Sequence, residues 1–413
     1  MLVSRFNYYL TKLRRAWSDG TFKERVSRKL KTGTATKIGA ATGYLGLRST
    51  DKKLSIAEGF ADHRNKINTD SEQEQEIINR IVSAYRLAKE DWKLAPAQFQ
   101  IRGLWAEWIE VNYGNLLAAV NADDYHKISN ILQNFGREQF AVGTGSSYDD
   151  VVHYKTSLVG RAYVKTVWCD YRDKLVDAGF DLSKITHPNI GNPAGFRVNE
   201  QVIPTETLRH AYNALAITNL LRNFKKPVIF EIGGGFGGQT FQTVYQLREN
   251  GNPIGKYLDF DIPEVQIVVS YFLLWAFPEL NVRLYGEGAV SATDAEDFEI
   301  GIFPHFAIDK LTNLSADLVF NSNSFAEMDE TAAKHYLAVT NRICRQYFMH
   351  INHESRFVFN YPDGSESRNA LGSELVPETA KFKRIYKRPR LFQRPEDKPF
   401  KSFAYLYERI KVD

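Results

Sequence analysis

The stretch Val228-Ile229-Phe230-Glu231-Ile232 is apolar enough for a buried strand and runs into five glycines, Gly233, Gly234, Gly235, Gly237 and Gly238. Gln239 and Thr240 then open a helical rhythm carried by Phe241, Val244 and Tyr245. Glycines between a strand and a helix let the backbone turn sharply, and they bring bare amides against a ligand at a helix N-terminus. Glu231 sets a carboxylate at the root of that turn. It would meet an amino or sulfonium cation, directly or through water, and would repel a diphosphate. Further on, Lys256-Tyr257-Leu258-Asp259-Phe260-Asp261-Ile262-Pro263 carries two carboxylates two residues apart, hence on one face of a strand. Asp261 stands nearer the carboxyl edge, where open α/β sheets bind ligands, and can accept both hydroxyl protons of a ribose cis-diol. A helix N-cap before Pro263 is its other reading, and Asp259 is the fallback for the diol.

These groups need a scaffold, and the chain of 413 residues has the composition for one. With 43% hydrophobic and 25% charged residues it can bury an ordinary core, which excludes wholesale disorder. Cys169 and Cys344 are the two cysteines; they make neither a disulfide framework nor a Cys-x-x-Cys zinc or redox pair. The longest apolar run, Val265 to Phe277, is interrupted by Gln266 and Ser270 and is too short to span a bilayer. No secretory signal opens the sequence. A soluble protein of a reducing, cytoplasmic compartment is expected.

The net charge of +4 hides an asymmetry. Residues 1–37 hold ten Lys/Arg against Asp19 and Glu24, so the rest of the chain is net acidic. A nucleic-acid enzyme carries positive charge along its working cleft, so nucleic acid is not an expected partner. A helix over 2–17 would gather Leu2, Phe6, Tyr9, Leu10, Leu13 and Trp17 on one stripe, with Arg5, Lys12, Arg14 and Arg15 outside it. Such a basic amphipathic segment fits an anionic membrane surface or a partner protein. Residues 38–75 read as a linker.

Helical spacing dominates residues 76–222. Ile101, Leu104, Trp105 and Trp108 recur at helical intervals, as do Ile128, Ile131, Leu132 and Phe135, with Gly136 placed as a helix C′ residue. Residues 183–204 read as a loop, after which Thr205 is placed to cap a helix carrying Leu208, Tyr212 and Leu215. From 223 to 413 short apolar runs alternate with helical segments: Val228–Ile232, Tyr257–Phe260, Val282–Tyr285, Leu318–Phe320 and Tyr347–Ile351. Continuous hydrophobicity predicts parallel strands covered on both faces. Lys381–Arg388 and Ser402–Ile410 suit an antiparallel hairpin at the sheet edge.

The glycines alone leave two ligand classes open. Gly233, Gly235 and Gly238 satisfy the dinucleotide spacing G-x-G-x-x-G. Gly233, Gly235 and Gly237, with Glu231, resemble the E-x-G-x-G-x-G motif of class I S-adenosylmethionine-dependent methyltransferases. Glu231, the room for further parallel strands and the closing hairpin favour the second. Phe260-Asp261-Ile262-Pro263 resembles the Phe-Asp-Leu-Pro of plant small-molecule O-methyltransferases, whose aspartate binds the cofactor ribose. With Gly191-Asn192-Pro193, Arg209-His210-Ala211-Tyr212 and Asn321-Ser322-Asn323-Ser324-Phe325-Ala326-Glu327-Met328, the region from about 80 to 410 resembles the sugar O-methyltransferases of bacterial surface-polysaccharide gene clusters.

That resemblance implies a Rossmann-like sheet, parallel with a terminal antiparallel hairpin, preceded by a mainly helical domain that shapes the acceptor site. It implies methyl transfer from S-adenosylmethionine, which becomes S-adenosylhomocysteine, to a sugar or glycan hydroxyl, with the acceptor lipid-linked in one version. An aliphatic alcohol needs a general base. Glu327 is the first choice and His353 the second, with His350 expected to face the sheet or core. Glu287, beyond the Val282–Tyr285 strand, takes the place of an adenine-contacting acid, or makes a simple turn. Asn321 faces the cofactor, and Arg209, with His210 and Tyr212, covers the methionine carboxylate or a sugar acid. Trp105, Trp108 and Trp168 are available for stacking on a sugar, though core positions suit them as well. No His-x-His or dense acidic cluster signals a metal. An NAD(P)-dependent oxidoreductase on the same sheet and a catalytically silent glycan-binding scaffold are the alternative readings. The inner face of the plasma membrane is the expected location if the basic tail holds the enzyme there.

Overall fold

The computed structural model describes residues 56–64, 71–102, 104–138, 140, 143–144, 151, 154, 156–293, 297–360, 364–393 and 401–410. The basic segment 1–37 and its amphipathic stripe lie outside the described residues.

Eight strands form the central sheet: β3 (Val228–Ile232), β4 (Lys256–Asp261), β5 (Val282–Leu284), β6 (Ile300–Pro304), β7 (Ala316–Ser322), β8 (Cys344–His353), β11 (Phe382–Pro389) and β12 (Ser402–Arg409). Their order is β11-β12-β8-β7-β3-β4-β6-β5. The six inner and right-hand strands run parallel, while β12 pairs antiparallel with both β8 and β11. The sheet is thus the parallel one with a terminal antiparallel hairpin that the sequence predicts. β3, β4, β6 and β7 are buried along nearly their whole length, as strands covered on both faces must be.

The strand beside β4 is a departure from the sequence reading. It is β6, not Val282–Leu284, which forms the outer edge beyond it. Gly301 and Pro304 break the apolar run of β6 into something that reads as a turn. A Cβ on Gly301 would come within 2.4 Å of the Phe303 ring, so the strand keeps a glycine to make room for it.

Helices cover both faces. α1 (Glu72–Trp92) is capped by the Ser71 side chain, which accepts from the Glu74 amide at 3.1 Å. α2 (Leu104–Asn112), α3 (Gly114–Asn121), α4 (Tyr125–Leu132) and α5 (Leu158–Asp177) follow. α6 (Thr205–Leu220), α7 (Gly238–Glu249), α8 (Pro263–Ala276) and α9 (Glu330–Ile343) connect or precede the strands. Pro263 sits in the first turn of α8, where a missing N–H costs nothing. A buried carboxylate helps fasten the helical region to the sheet. Glu74 accepts from Ser129 Oγ at 2.6 Å, Gln133 Nε2 at 3.1 Å, Tyr271 OH at 3.2 Å and Trp275 Nε1 at 3.2 Å, joining α1, α4 and α8.

Several local expectations are corrected. Within 38–75, Ile56–Gly59 is a helical turn, Phe60 is 1% exposed, and α1 begins at Glu72. The 183–204 loop contains an antiparallel ribbon of β1 (Phe196–Val198) and β2 (Gln201–Ile203), and a second ribbon, β9 (Val358–Asn360) with β10 (Glu366–Arg368), follows β8. Pro204, not Thr205, occupies the cap position of α6. Gly136 is no helix cap but part of a short 3-10 turn; a Cβ there would meet Gly191 O at 2.8 Å. Gly191-Asn192-Pro193 serves the same junction. Buried Arg137 donates to Asn192 O at 2.7 Å, Pro193 O at 2.9 Å and Ala61 O at 2.6 Å, tying 60–61 to that loop.

Candidate active site

The chain order reverses direction at β3, with β4 on one side and β7 on the other, and ligands of open α/β sheets bind at such a switch point. A cavity of about 810 Å³ opens there, at the carboxyl ends of β3, β4, β6, β7 and β8. Gly233, Gly234 and Gly235 form its floor. Gly233 and Gly235 have φ of +78° and +65°, a region that favours glycine. A Cβ on Gly233 would stand 2.3 Å from Ser324 Oγ, so the loop presses on the turn after β7. Gly237 also has positive φ, but it packs toward Val269 and Leu273 and starts α7 rather than lining the cavity.

Three carboxylates underlie the loop. Glu231 and Asp259 are register partners on β3 and β4. Tyr257 OH donates to Glu231 Oε2 at 2.7 Å, and Thr240 Oγ1 donates to the same oxygen at 3.1 Å. Burial holds both acids above the usual carboxylate range; the Tyr257 and Thr240 donors oppose it at Glu231, where Asp261 adds repulsion, and Glu231 then Asp261 add repulsion at Asp259. Asp261 accepts the amides of Gly235 at 3.0 Å and Ile262 at 2.7 Å. Burial pushes its pKa up to about 6 in spite of those two donors. Asp261 lines the cavity, Glu231 touches it from below, and Asp259 is wholly buried behind Gly234.

Glu327 closes the short 3-10 turn Ser324–Glu327 after β7 and faces the cavity. Burial raises its pKa to about 7, offset in part by a hydrogen bond from Trp105 and by Arg390. His353, the last residue of β8, lines the same space. The Ser355 amide donates to its Nδ1 at 3.2 Å, so the neutral ring carries its proton on Nε2 and has no lone pair there for a substrate proton. Burial lowers its pKa as well. Of the two predicted bases, Glu327 has the better chemistry. His350 is fully buried and stacked on Tyr405 at 4.6 Å, facing the core as expected.

Two predicted cofactor contacts lie elsewhere. Glu287 is not among the cavity residues: it accepts from Arg80 Nε at 2.7 Å and from the Leu284 amide at 2.8 Å on the far edge. The residue that follows the strand adjacent to β4 is His305, whose Nε2 meets Phe99 O at 2.8 Å. Asn321 is fully buried behind the wall. Its Nδ2 donates to Ile232 O at 2.8 Å and Ser324 Oγ at 2.5 Å, and its Oδ1 accepts from Asn352 Nδ2 at 2.9 Å. Asn352 Oδ1 in turn accepts from the Ala326 amide at 3.1 Å. Arg209 does reach the cavity, paired with Glu206 at 2.5 Å.

The opposite wall comes from Gln98–Arg102 and α2. Trp105 and Trp108 line the cavity, and Trp108 Nε1 is buried with no protein partner. Trp168 is fully buried against Phe196 and belongs to the core. Arg390, just past β11, donates to Asn323 Oδ1 at 3.0 Å and also faces the cavity. Sequence reading missed His305, because β6 was not recognised. It missed Arg390 too, although that residue's place after a hairpin strand ending at the carboxyl edge was a usable signal.

The fold is a Rossmann-like α/β sheet, parallel with a terminal antiparallel hairpin. No family model matches the chain, and no curated protein matches it. Among solved structures, a Burkholderia thailandensis 1,6-didemethyltoxoflavin N1-methyltransferase, crystallised with 1,6-didemethyltoxoflavin and S-adenosylhomocysteine, is 16% identical; the match covers 49% of this chain and 79% of that one, with a TM-score of 0.32. A magnesium protoporphyrin IX methyltransferase from Synechocystis with bound S-adenosylhomocysteine is 10% identical, covering 58% and 94%, with a TM-score of 0.33. A glycopeptide N-methyltransferase complexed with sinefungin is 14% identical, covering 49% and 94%, with a TM-score of 0.31. At these values the likeness says nothing of activity. The Rossmann-like architecture of this chain is read from its own strand order.

Among the described residues, no group of three or more His, Cys, Asp or Glu is arranged to hold a metal ion. No described helix is long and apolar enough to cross a membrane. Cys169 and Cys344 are both buried, and neither is in a disulfide.

Proposed function

We propose that this chain is an S-adenosylmethionine-dependent O-methyltransferase that methylates a sugar hydroxyl of a glycan or glycan precursor. The observation that carries the reading is the acidic underside of the glycine loop. Asp261 and, beneath it, Glu231 place acids where a dinucleotide would lay its diphosphate, and an ionised carboxylate repels a phosphate strongly in a low-dielectric site. A ligand with a cationic amino acid end and a ribose suits the same groups. Bare backbone at Gly233–Gly235 admits it closely, and Asp261 keeps lone pairs for the cis-diol beyond its two backbone donors.

The cofactor would supply an electrophilic methyl carbon with a neutral thioether as leaving group. Gly233, Gly235 and Asp261 would hold it, with Glu231 beneath, His305 and Phe99 to one side, and Arg209 at the carboxylate end. The other half of the cavity offers indole faces at Trp105 and Trp108 and polar groups at Asn323, Glu327 and His353. Apolar faces flanked by a few convergent polar groups suit a pyranose ring. Glu327 takes the alcohol proton as its oxygen attacks. A base whose pKa lies near the working pH suits that transfer. His353 Nε2–H then serves as a donor that orients the acceptor rather than as the base.

The basic segment 1–37 is proposed to bring the enzyme to an anionic membrane face or an assembly partner. Its deletion should reduce co-sedimentation with anionic vesicles and leave turnover of a soluble acceptor unchanged; unchanged sedimentation would remove that element. For the core reading, titration calorimetry decides. Heat with S-adenosylhomocysteine and none with NAD(H) is expected. The reverse pattern selects the oxidoreductase. Cofactor heat without transfer to any glycan selects the silent binding protein.

A further inference from the structure

One of the two edge strands of the sheet, β11, carries an unusual charge. Lys381, Lys383, Arg384, Lys387, Arg388 and Arg390 place six cations in ten residues of a chain whose body is otherwise net acidic. Lys383, Arg384, Lys387 and Arg388 are exposed. Three carboxylates touch this stretch: Glu378 meets Lys381 at 2.8 Å, Glu354 lies 3.7 Å from Lys387, and Glu408 pairs across from Lys383. They leave it positive.

Direction matters more than charge alone. β12 is antiparallel to both β8 and β11, so β11 ascends in the same sense as β8 and ends at the same carboxyl edge. Its last residue, Pro389, pairs with Phe403 beside Ser402, which pairs with His353. Both Ser402 and His353 line the cavity, and so does Arg390, the next residue of the basic run. The track spans roughly 27 Å over eight strand residues, enough for several sugar units. Aromatic rings lie among the cations: Lys387 Nζ sits 4.5 Å from the Phe403 ring, and the Arg388 guanidinium 4.5 Å from that of Tyr386. A charged edge guards a sheet against pairing with another chain. That role explains a lysine or two. It does not explain a run that continues past the strand into the cavity wall.

We propose that β11 is the docking track of an acidic glycan chain, whose carboxylate-bearing sugars lie along the basic edge and lead the residue to be methylated past Arg390 into the cavity. This rests on the methyl-transfer reading and narrows its acceptor to a polyanionic saccharide. Matching charge along an extended surface raises the encounter rate and fixes which way the chain enters. It also makes the interaction sensitive to ionic strength.

The test uses the full chain with a fluorescent hexameric oligogalacturonate and neutral maltohexaose as probes, read by anisotropy. Oligogalacturonate binding that weakens with added salt is expected, at least tenfold tighter than that of maltohexaose. The variant Lys383→Gln/Arg384→Gln/Lys387→Gln/Arg388→Gln should lose at least tenfold of it while keeping S-adenosylhomocysteine affinity within twofold. The double variants at 383/384 and at 387/388 should each show a partial loss, which covers poor folding of the fourfold change. Equal binding of the two saccharides overturns the proposal. So does a variant that binds oligogalacturonate normally. Strand-dependent binding of anionic phospholipid vesicles or single-stranded RNA that the saccharide fails to displace overturns it as well. Absence of heat with S-adenosylhomocysteine defeats the methyl-transfer reading instead. Normal heat without strand-dependent saccharide binding defeats the track alone.

Discussion

Gly234 and Asp259 compete for one space: a Cβ on residue 234 would stand 1.8 Å from Asp259 Oδ2. The wholly buried carboxylate is therefore the prop against which the cofactor loop rests. Gly234→Ala should weaken S-adenosylhomocysteine binding at least tenfold, because either the loop or the acid must move. Adding Asp259→Ala should return part of that loss. A double-mutant cycle by calorimetry checks the coupling, and strictly additive losses would refute the steric account.

Glu327 has to be ionised to accept a proton, so turnover should rise with pH through about 7. Glu327→Gln should lower kcat by roughly 10²–10⁴-fold and leave S-adenosylhomocysteine affinity unchanged. Stability should move the other way. A carboxyl whose folded pKa is raised contributes stability while protonated and loses it as pH climbs through that value. At pH 8 the glutamine variant should therefore be more stable by about 1 kcal/mol, a figure kept small because the side chain is partly exposed. Denaturant melts of both proteins at pH 5 and pH 8 read this directly; a variant less stable at pH 8 would count against the assignment.

Asp261 needs its charge to accept the ribose hydroxyls well. Affinity for S-adenosylhomocysteine should fall as pH drops through about 6. Asp261→Asn should bind about ten- to a hundredfold more weakly, the loss of charge-assisted hydrogen bonds worth about 1.5–3 kcal/mol. It should also flatten the pH dependence between 5 and 7. A variant that keeps the wild-type slope would point to another titrating group.

Glu287 and His305 separate the two placements of the third-strand contact. Glu287→Ala should keep cofactor affinity within twofold while lowering the melting temperature, because Arg80 loses its partner. His305→Ala should weaken cofactor binding at least fivefold. Calorimetry on both variants decides, and the opposite pattern would restore Glu287 to the site.

What could be read from the sequence was what local chemistry dictates. The strand–glycine–helix segment at 228–245 announces itself, since few other needs gather five glycines after a buried strand. The closing hairpin was legible from its extended residues and the absence of a helix between them. β6 was not, because Gly301 and Pro304 are turn residues by type and strand residues here only through tertiary pairing. Asn321 was read as a ligand contact from its position at a strand end; its amide turned inward because the backbone at Ile232 needed a donor. Gly191-Asn192-Pro193, read as part of a loop and of the family resemblance, supplies backbone carbonyls to the buried Arg137. Such junctions join residues more than fifty positions apart, and no local pattern encodes them.

The amides of Asn321 and Asn352 stitch the glycine loop, the Ser324–Glu327 turn and the end of β8 into one frame. The wall formed by Gln98–Arg102, Trp105 and Trp108 is another piece of chain laid across it. Trp105 hydrogen-bonds Glu327 and Phe99 O meets His305 Nε2 at 2.8 Å, so under the proposed reading the wall that faces the acceptor also steadies the base. Trp108 lines the same wall and its Nε1 has no hydrogen-bond partner in the protein, so it is the residue whose replacement would reshape the proposed acceptor face with the least disturbance of Glu327.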